Sequence, residues 1–222
     1  QYLFASVWTI VKPETLQKFS IKEFDYIIID EVHHGGSKTY KTIIEYFEPK
    51  FLLGLTATPE RTDDFNIFEL FDYNQACNIR LHHALEEKLL CPFHYYGIAD
   101  LTINNVEKDD HSLVAQLTTE ERVKHIVKNI NFYKNTSEPN RGLIFCSRKE
   151  EADKLSILLN KKGFHTVALH SDNSDEQLRE QRISELEDPN NPLEYIISVD
   201  ILNEGIDIPS VNQVIFLRPT KS

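Results

Sequence analysis

The chain has 222 residues, 41% hydrophobic and 27% charged, an ordinary globular composition that excludes collagen-like and disordered classes and suffices for one large or two small domains. With 35 acidic against 24 basic residues the formal charge is −11, about evenly shared by residues 1–91 (−5) and 92–222 (−6), which excludes retention on nucleic acid by bulk charge but not a local basic groove. The odd, scattered Cys77, Cys91 and Cys146 fit neither a disulfide framework nor a Cys-x-x-Cys metal site, and no apolar run approaches the ~18 residues of a membrane span, so a cytoplasmic protein with no membrane partner is expected.

Methionine is absent even from position 1, and Gln1 leads straight into a strand-like run, so the sequence reads as cut from something longer. No fixed-period repeat occurs. Short β-branched or aromatic runs at 2–7, 26–30, 51–56, 93–99, 142–146, 166–170, 195–199 and 211–217 are expected as buried strands. Helical patterns lie between them at 14–19, 38–47, 66–71, 82–89, 120–133, 149–162 and 175–186. Capping boxes at Thr118…Glu121, Ser147…Glu150 and Ser174…Gln177 mark three helix starts, and Gly163 is a candidate left-handed residue closing the second of these helices. Alternating strands and helices predict α/β units with parallel sheets covered on both faces. Cys91-Pro92 breaks a helix and the polar stretch 104–111 has no apolar period, so a boundary is placed near residue 91, with about 115 as the latest position.

The strongest local signal is Tyr26-Ile27-Ile28-Ile29-Asp30-Glu31-Val32-His33: an apolar strand carries two carboxylates to its C-terminal end, where α/β sheets bind ligands. Side chains alternate along a strand, so the pair works together only if the strand stops and the chain turns there. One carboxylate then suits Mg²⁺ held through retained waters, and the other suits activation of a water attacking a phosphate. Read alone, the pair fits a solvated turn equally well. Thr56-Ala57-Thr58-Pro59 ends a second strand, with hydroxyls able to sense a neighbouring carboxylate. Near the C-terminus, Gly205 permits close backbone approach to a phosphate or ribose, and Asp207 can accept from a ribose hydroxyl. Ser147 and Ser198 end or follow further strands. The adjacent pairs His33-His34 and His82-His83 lack the i, i+4 spacing of zinc ligands on a helix.

Taken in order, these segments resemble the superfamily-two helicase and translocase motor, in its restriction-enzyme-like (ResIII-type) DExH-box subgroup. Asp30-Glu31-Val32-His33 resembles the DExH box, Thr56-Ala57-Thr58 the third motif, Phe145-Cys146-Ser147 the fourth, and Glu204-Gly205-Ile206-Asp207-Ile208-Pro209 the fifth. Ser6-Val7-Trp8-Thr9 is similar to a nucleic-acid-contacting motif upstream of the DExH box. The resemblance implies two RecA-like domains, residues 1–91 and 92–222, the first incomplete at its N-terminus and the second at its C-terminus. It implies ATP and Mg²⁺ as cofactors. Asp30 would coordinate Mg²⁺ through water, Glu31 would activate the hydrolytic water, and His33 would link the nucleotide to Thr56, Ala57 and Thr58, which couple hydrolysis to domain movement. Gly205 and Asp207 would approach the nucleotide, and Ser6, Thr9, Ser147 and Ser198 the nucleic-acid backbone. DNA is the expected partner, ahead of RNA.

Two departures stand beside the matches. The seven glycines, at 35, 36, 54, 97, 142, 163 and 205, form no G-x-x-x-x-G-K-[ST] loop, and none follows Gly205 to build the family's sixth motif. The expectation is therefore the central fragment of a motor, inactive alone, whose Walker loop and C-terminal extension belong to the same parent chain, with the 2–7 strand left as an exposed sheet edge prone to association. The alternatives are a degenerate motor that only binds nucleic acid or protein, and an RNA remodeller.

Overall fold

The computed structural model describes residues 2–59, 66–99, 117–135, 137–203 and 205–218. The chain divides into two compact units, one up to Tyr95 and one from Tyr96. No helix among the described residues is long and apolar enough to cross a membrane.

The first unit begins with two single-turn helices, α1 (Val7–Ile10) and α2 (Pro13–Leu16). Strand β1 (Tyr26–Ile29) follows, then a 3-10 turn over Val32–Gly36, helix α3 (Lys38–Tyr46) and strand β2 (Phe51–Gly54). The strands pair in parallel, Tyr26 opposite Phe51 and Ile29 opposite Gly54. Period-2 alternation turns Ile27 and Ile29 inward, while Tyr26 and Ile28 remain exposed. Leu16, Ile43 and Phe47 form one core cluster, with Phe19, Phe24 and Phe47 in tilted and edge contacts; Ile29, Val32 and Ile67 form a second under the 3-10 segment Ile67–Phe71. Helix α4 (Leu81–Glu86) closes the unit.

The second unit is a four-stranded parallel sheet in the order β4-β5-β3-β6: β3 Gly142–Phe145, β4 Thr166–Leu169, β5 Tyr195–Ser198 and β6 Gln213–Phe216. Helices α5 (Glu120–Tyr133) and α6 (Lys149–Lys161) cover one face, burying Val123, Ile126, Ile130, Leu155 and Leu159 against Ile144, Cys146 and Ile197. Helix α7 (Glu176–Glu187) covers the other through Leu186 against Leu143, Phe145 and Ile196. Strands β3, β4 and β5 give alternate residues to the two cores, which is why they read as unbroken apolar runs, while the edge strand β6 packs Ile215 on one core and leaves Val214 and Phe216 exposed.

Several sequence expectations are corrected. Residues 2–6 form no strand: they are exposed, and Ser6 instead caps α1, its carbonyl accepting from the Thr9 and Ile10 amides. The proposed sheet edge at 2–7 is therefore absent. Residues 93–99 are likewise exposed and not in a strand. Both are apolar runs with no neighbouring strand to complete their hydrogen bonds among the described residues, and composition alone does not reveal that. All three capping boxes move by a residue. The Thr119 hydroxyl accepts from Arg122 N, and the Asp175 carboxylate from Leu178 N, while Ser174 donates to the His170 carbonyl. At α6 the N-cap is Arg148, and Glu151 reaches back to Ser147. At α5 and α7 the residue one position later, Thr119 or Asp175, supplies the capping oxygen; at α6 the Arg148 side chain has no acceptor to offer, and Glu151 bonds Ser147 instead. Gly163, at φ +91°, does follow α6 as expected.

Candidate functional site

In the first unit the site is built where β1 stops. The ladder ends at Ile29, and Glu31 adopts a left-handed backbone, φ +49° and ψ +45°. That turn brings the two carboxylates to the same end of the sheet. For a non-glycine residue such a conformation is unfavourable by about 1–3 kcal/mol and persists only where its surroundings over-determine it. Two backbone bonds do so: Leu55 N donates to the Ile29 carbonyl at 2.9 Å, and Val32 N to the Leu55 carbonyl at 2.9 Å. They lock residues 30–33 beside residues 55–58. A Cβ on Gly54 would strike the Phe71 ring and lie 2.9 Å from Val32 Cγ1, so the close approach of this turn to β2 requires glycine.

The side chains then form a chain of contacts. His33 Nδ1 lies 3.1 Å from Glu31 Oε2 and 3.1 Å from Thr56 Oγ1, which in turn accepts from Thr58 N at 3.1 Å. The Nδ1–Thr56 Oγ1 contact is a hydrogen bond, and the Glu31 carboxylate beside Nδ1, an acceptor only, favours the tautomer with its proton there. One Glu31 oxygen is thereby anchored while Oε1 remains available on a half-exposed side chain. Asp30 Oδ1 accepts from the Glu31 amide at 3.0 Å, which fixes its carboxylate at the exposed strand end. The Tyr40 phenol is raised above its ordinary value, first by burial and then by the Glu31 and Asp30 charges, which places it in the field of both carboxylates. Four of the expected residues, Glu31, His33, Thr56 and Thr58, are thus joined by contacts. Ala57 is exposed between the two threonines, and Ser6 and Thr9 are exposed on the first helical turn.

In the second unit the candidates again follow strand ends. Ser147, two residues beyond β3, is exposed; its hydroxyl and amide both donate to Glu151 Oε2, at 2.9 and 3.1 Å. Gly205, at φ +70°, has open space where a Cβ would stand, and Asp207 is exposed. Ser198 does not fit its expected role. It is fully buried, and its hydroxyl donates to the Ile201 carbonyl, so it shapes the loop after β5 and leaves no group for a nucleic-acid backbone.

Sequence reasoning missed three groups. Glu151 is joined to Arg122 by a 3.0 Å ion pair buried between α5 and α6. Arg218, just past β6, bonds Asp200 and Asn203. Tyr40, whose phenol is raised by burial and then by the Glu31 and Asp30 charges, is the third. A signal existed for the ion pair: Arg122 and Glu151 occupy the i positions of apolar i, i+4 steps to Ile126 and Leu155, where a charge demands a partner.

Asp30 fits a hydrated Mg²⁺ by its donor chemistry. A single exposed carboxylate with a free oxygen is what an ion that retains most of its waters takes from a protein.

Comparison with known proteins bears on the family to which the chain is similar. Residues 1–61 match the family described as type III restriction enzyme, res subunit, and residues 121–222 the helicase conserved C-terminal domain. A Saccharomyces cerevisiae protein named as an ATP-dependent helicase, IRC3, is 27% identical over 99% of this chain and 33% of its own length. The Escherichia coli type I restriction enzyme EcoAI endonuclease subunit is 21% identical over 86% of this chain and 27% of its own. Among solved structures, a Saccharomyces cerevisiae Dbp5 variant bound to RNA and ADP–BeF3 shares the fold, with TM-score 0.51 and 15% identity over 98% of this chain and 50% of that one. The chain thus spans about a third of the length of the curated relatives it matches.

Proposed function

Because the chain belongs to the superfamily-two helicases of restriction-enzyme type, we propose that it is the central part of an ATP-dependent motor that moves on DNA. The observation that carries this is the contact chain Glu31–His33–Thr56–Thr58, which ties a carboxylate suited to proton abstraction to a second strand end. Glu31 holds one oxygen on His33 and presents the other to a water, whose proton it takes as the nucleophile attacks a phosphate. His33, proton on Nδ1, reports the Glu31 state to Thr56, and the Thr58 amide follows through the shared hydroxyl. Bound Mg²⁺ would supply charge neutralisation for the phosphates, with Asp30 positioning it through water. On the second unit, Gly205 and Asp207 are the groups suited to a phosphate or ribose. Ser6, Thr9 and Ser147, all exposed, are the backbone contacts on the two units.

The preference for DNA over RNA is supported by the similarity of residues 1–61 to a restriction-enzyme family. The sequence contains no phosphate-cradling G-x-x-x-x-G-K-[ST] loop, so the 222-residue chain alone is expected to release no phosphate from ATP. The loop and the arginine-bearing sixth motif are proposed to reside in further segments of the same parent chain. The test is nucleic-acid-stimulated phosphate release by that parent, compared on duplex DNA, single-stranded DNA and RNA. Glu31→Gln should lower the rate by about 10²–10⁴-fold. An unchanged rate removes Glu31 from the mechanism, stronger stimulation by RNA removes the DNA assignment, and robust turnover by the 222-residue chain removes the fragment reading.

A further inference from the structure

Beyond β5 the backbone takes an unusual course. Ser198 donates to the Ile201 carbonyl, Asp200 stands at φ +56° and Leu202 at φ +62°, with Gly205 at φ +70° close behind. Aspartate tolerates the left-handed region; leucine does so only under constraint. Burial of the Leu202 side chain against the α7 face of the sheet is one constraint. The other comes from across the sheet edge. Arg218 directs Nη1 to Asp200 Oδ1 at 2.8 Å and Nη2 to Asn203 Oδ1 at 2.9 Å, one tine on each side of Ile201-Leu202. Its guanidinium carbon lies 5.9 Å from the centroid of the Phe145 ring, which stacks on Phe216 at 5.3 Å, so the fork has a rigid aromatic support.

We propose that Arg218 is a positioning residue: its fork holds residues 200–203 in the left-handed course that presents Gly205 and Asp207 to a phosphate-bearing nucleotide. This rests on the reading above that Gly205 and Asp207 meet the nucleotide. Charge alone does not explain the contact, because Asp200 is 77% exposed on its side chain and such a pair is worth little in water. Geometry does. A planar guanidinium spans two acceptors flanking Ile201-Leu202, whereas a lysine ammonium satisfies one of them at a time.

The test uses the parent chain that carries the phosphate-cradling loop, and its Arg218→Gln, Arg218→Lys and Asn203→Ala variants. Amide hydrogen exchange is followed over residues 199–207, with residues 195–198 of β5 as an internal control for global stability. Binding is followed by titrating Mg–ATP and watching the Gly205 amide by NMR. Arg218→Gln should speed loop exchange about three- to tenfold with β5 unchanged, and weaken Mg–ATP by a similar factor. Arg218→Lys should fall between, and Asn203→Ala should move both readouts in the same direction. Unchanged loop exchange in Arg218→Gln overturns the proposal, and so does a loosened loop with undiminished Mg–ATP binding. A Gly205 amide that ignores Mg–ATP in the unsubstituted chain overturns the nucleotide reading and this proposal's ligand with it. The exchange rates then show separately whether Arg218 holds the loop.

Discussion

Removing the Glu151 carboxylate should cost the second unit a large part of its stability. Glu151 is 0% exposed and Arg122 2%, and the 3.0 Å bond between them joins α6 to α5 across the sheet's main core. Arg122 Nη1 has a further bond to the Leu117 carbonyl at 2.6 Å, and the second Glu151 oxygen takes both the amide and hydroxyl of Ser147. In Glu151→Ala the Ser147 groups, being exposed, find water. Arg122 does not. A buried guanidinium deprived of its counter-charge costs about 3–5 kcal/mol, against the roughly 5–15 kcal/mol that holds a domain of this size together. Glu151→Gln keeps the shape and one acceptor oxygen but turns an amide N–H toward a donor, so its loss should be smaller, on the order of 1.5–3 kcal/mol.

The assay must see the right unit. Trp8 is the chain's one tryptophan and lies in the first unit, so urea unfolding of the second is better followed by far-UV circular dichroism or by exchange of the β3 and β5 amides. With a slope of about 1–3 kcal/mol/M, a 3 kcal/mol loss lowers the midpoint by about 1 M or more. A pair that matters through its unpaired state has a second signature: Arg122→Met combined with Glu151→Leu should recover most of what Glu151→Ala loses. A Glu151→Ala loss below about 1 kcal/mol, or a double variant as damaged as the single one, would refute the reasoning.

Gly54→Ala forces a Cβ into the Phe71 ring and against Val32, so the first unit should lose about 1–3 kcal/mol, read by exchange of the β1 and β2 amides across a urea series. Cys77 and Cys91 are exposed whereas Cys146 is buried, its thiol pushed above the ordinary value of 9.0 chiefly by burial and then by the Glu151 charge. Ellman's reagent should therefore titrate two thiols in the folded chain at neutral pH and the third only after denaturation. Burial also raises the Tyr195 phenol above its ordinary 10.0, the Glu194 charge adding to it. Groups raised in the folded state contribute stability that is complete below their unfolded values and drains away above them, so the second unit should weaken progressively from about pH 9 upward. A urea midpoint flat between pH 8 and about pH 11 would contradict that sign.

The alternation of helices and strands was legible because buried parallel strands need no polar face. Gly142-Leu143-Ile144-Phe145, buried at every residue, announces itself as a continuous apolar run; Tyr26-Ile27-Ile28-Ile29 reads the same way but turns only Ile27 and Ile29 inward, so the expectation of cover on both faces fails for β1. The same rule misled at residues 2–7 and 93–99, since an apolar run states what a segment prefers to bury and not whether a neighbouring strand exists to accept its hydrogen bonds. The acidic pair was legible as chemistry, and so was the condition that the chain must turn for both carboxylates to act; the left-handed Glu31 meets that condition. Long-range partners were not legible. Arg122 and Glu151 are 29 residues apart and Arg218 and Asp200 18 apart, and a charge reveals its need for a partner without revealing which one it finds.

Strand register is what converts these residues into a site. Asp30 stands one residue past the last paired residue of β1, while Thr56, Ser147, Asp200 and Arg218 each stand two past the ends of β2, β3, β5 and β6. At those positions the ladder no longer claims the backbone, and the parallel arrangement sends every such end to the same edge of its sheet. Ile29 opposite Gly54 therefore does more than pair two strands: it sets residues 30–33 level with 55–58, within reach of the His33 bridge. A slip of one residue between β1 and β2 would send Ile27 and Ile29 to the exposed face and carry His33 away from Thr56 at the same stroke. The apolar burial that fixes the register and the hydrogen bonds that would sense a phosphate are thus consequences of one pairing, and a variant cannot disturb the first while sparing the second.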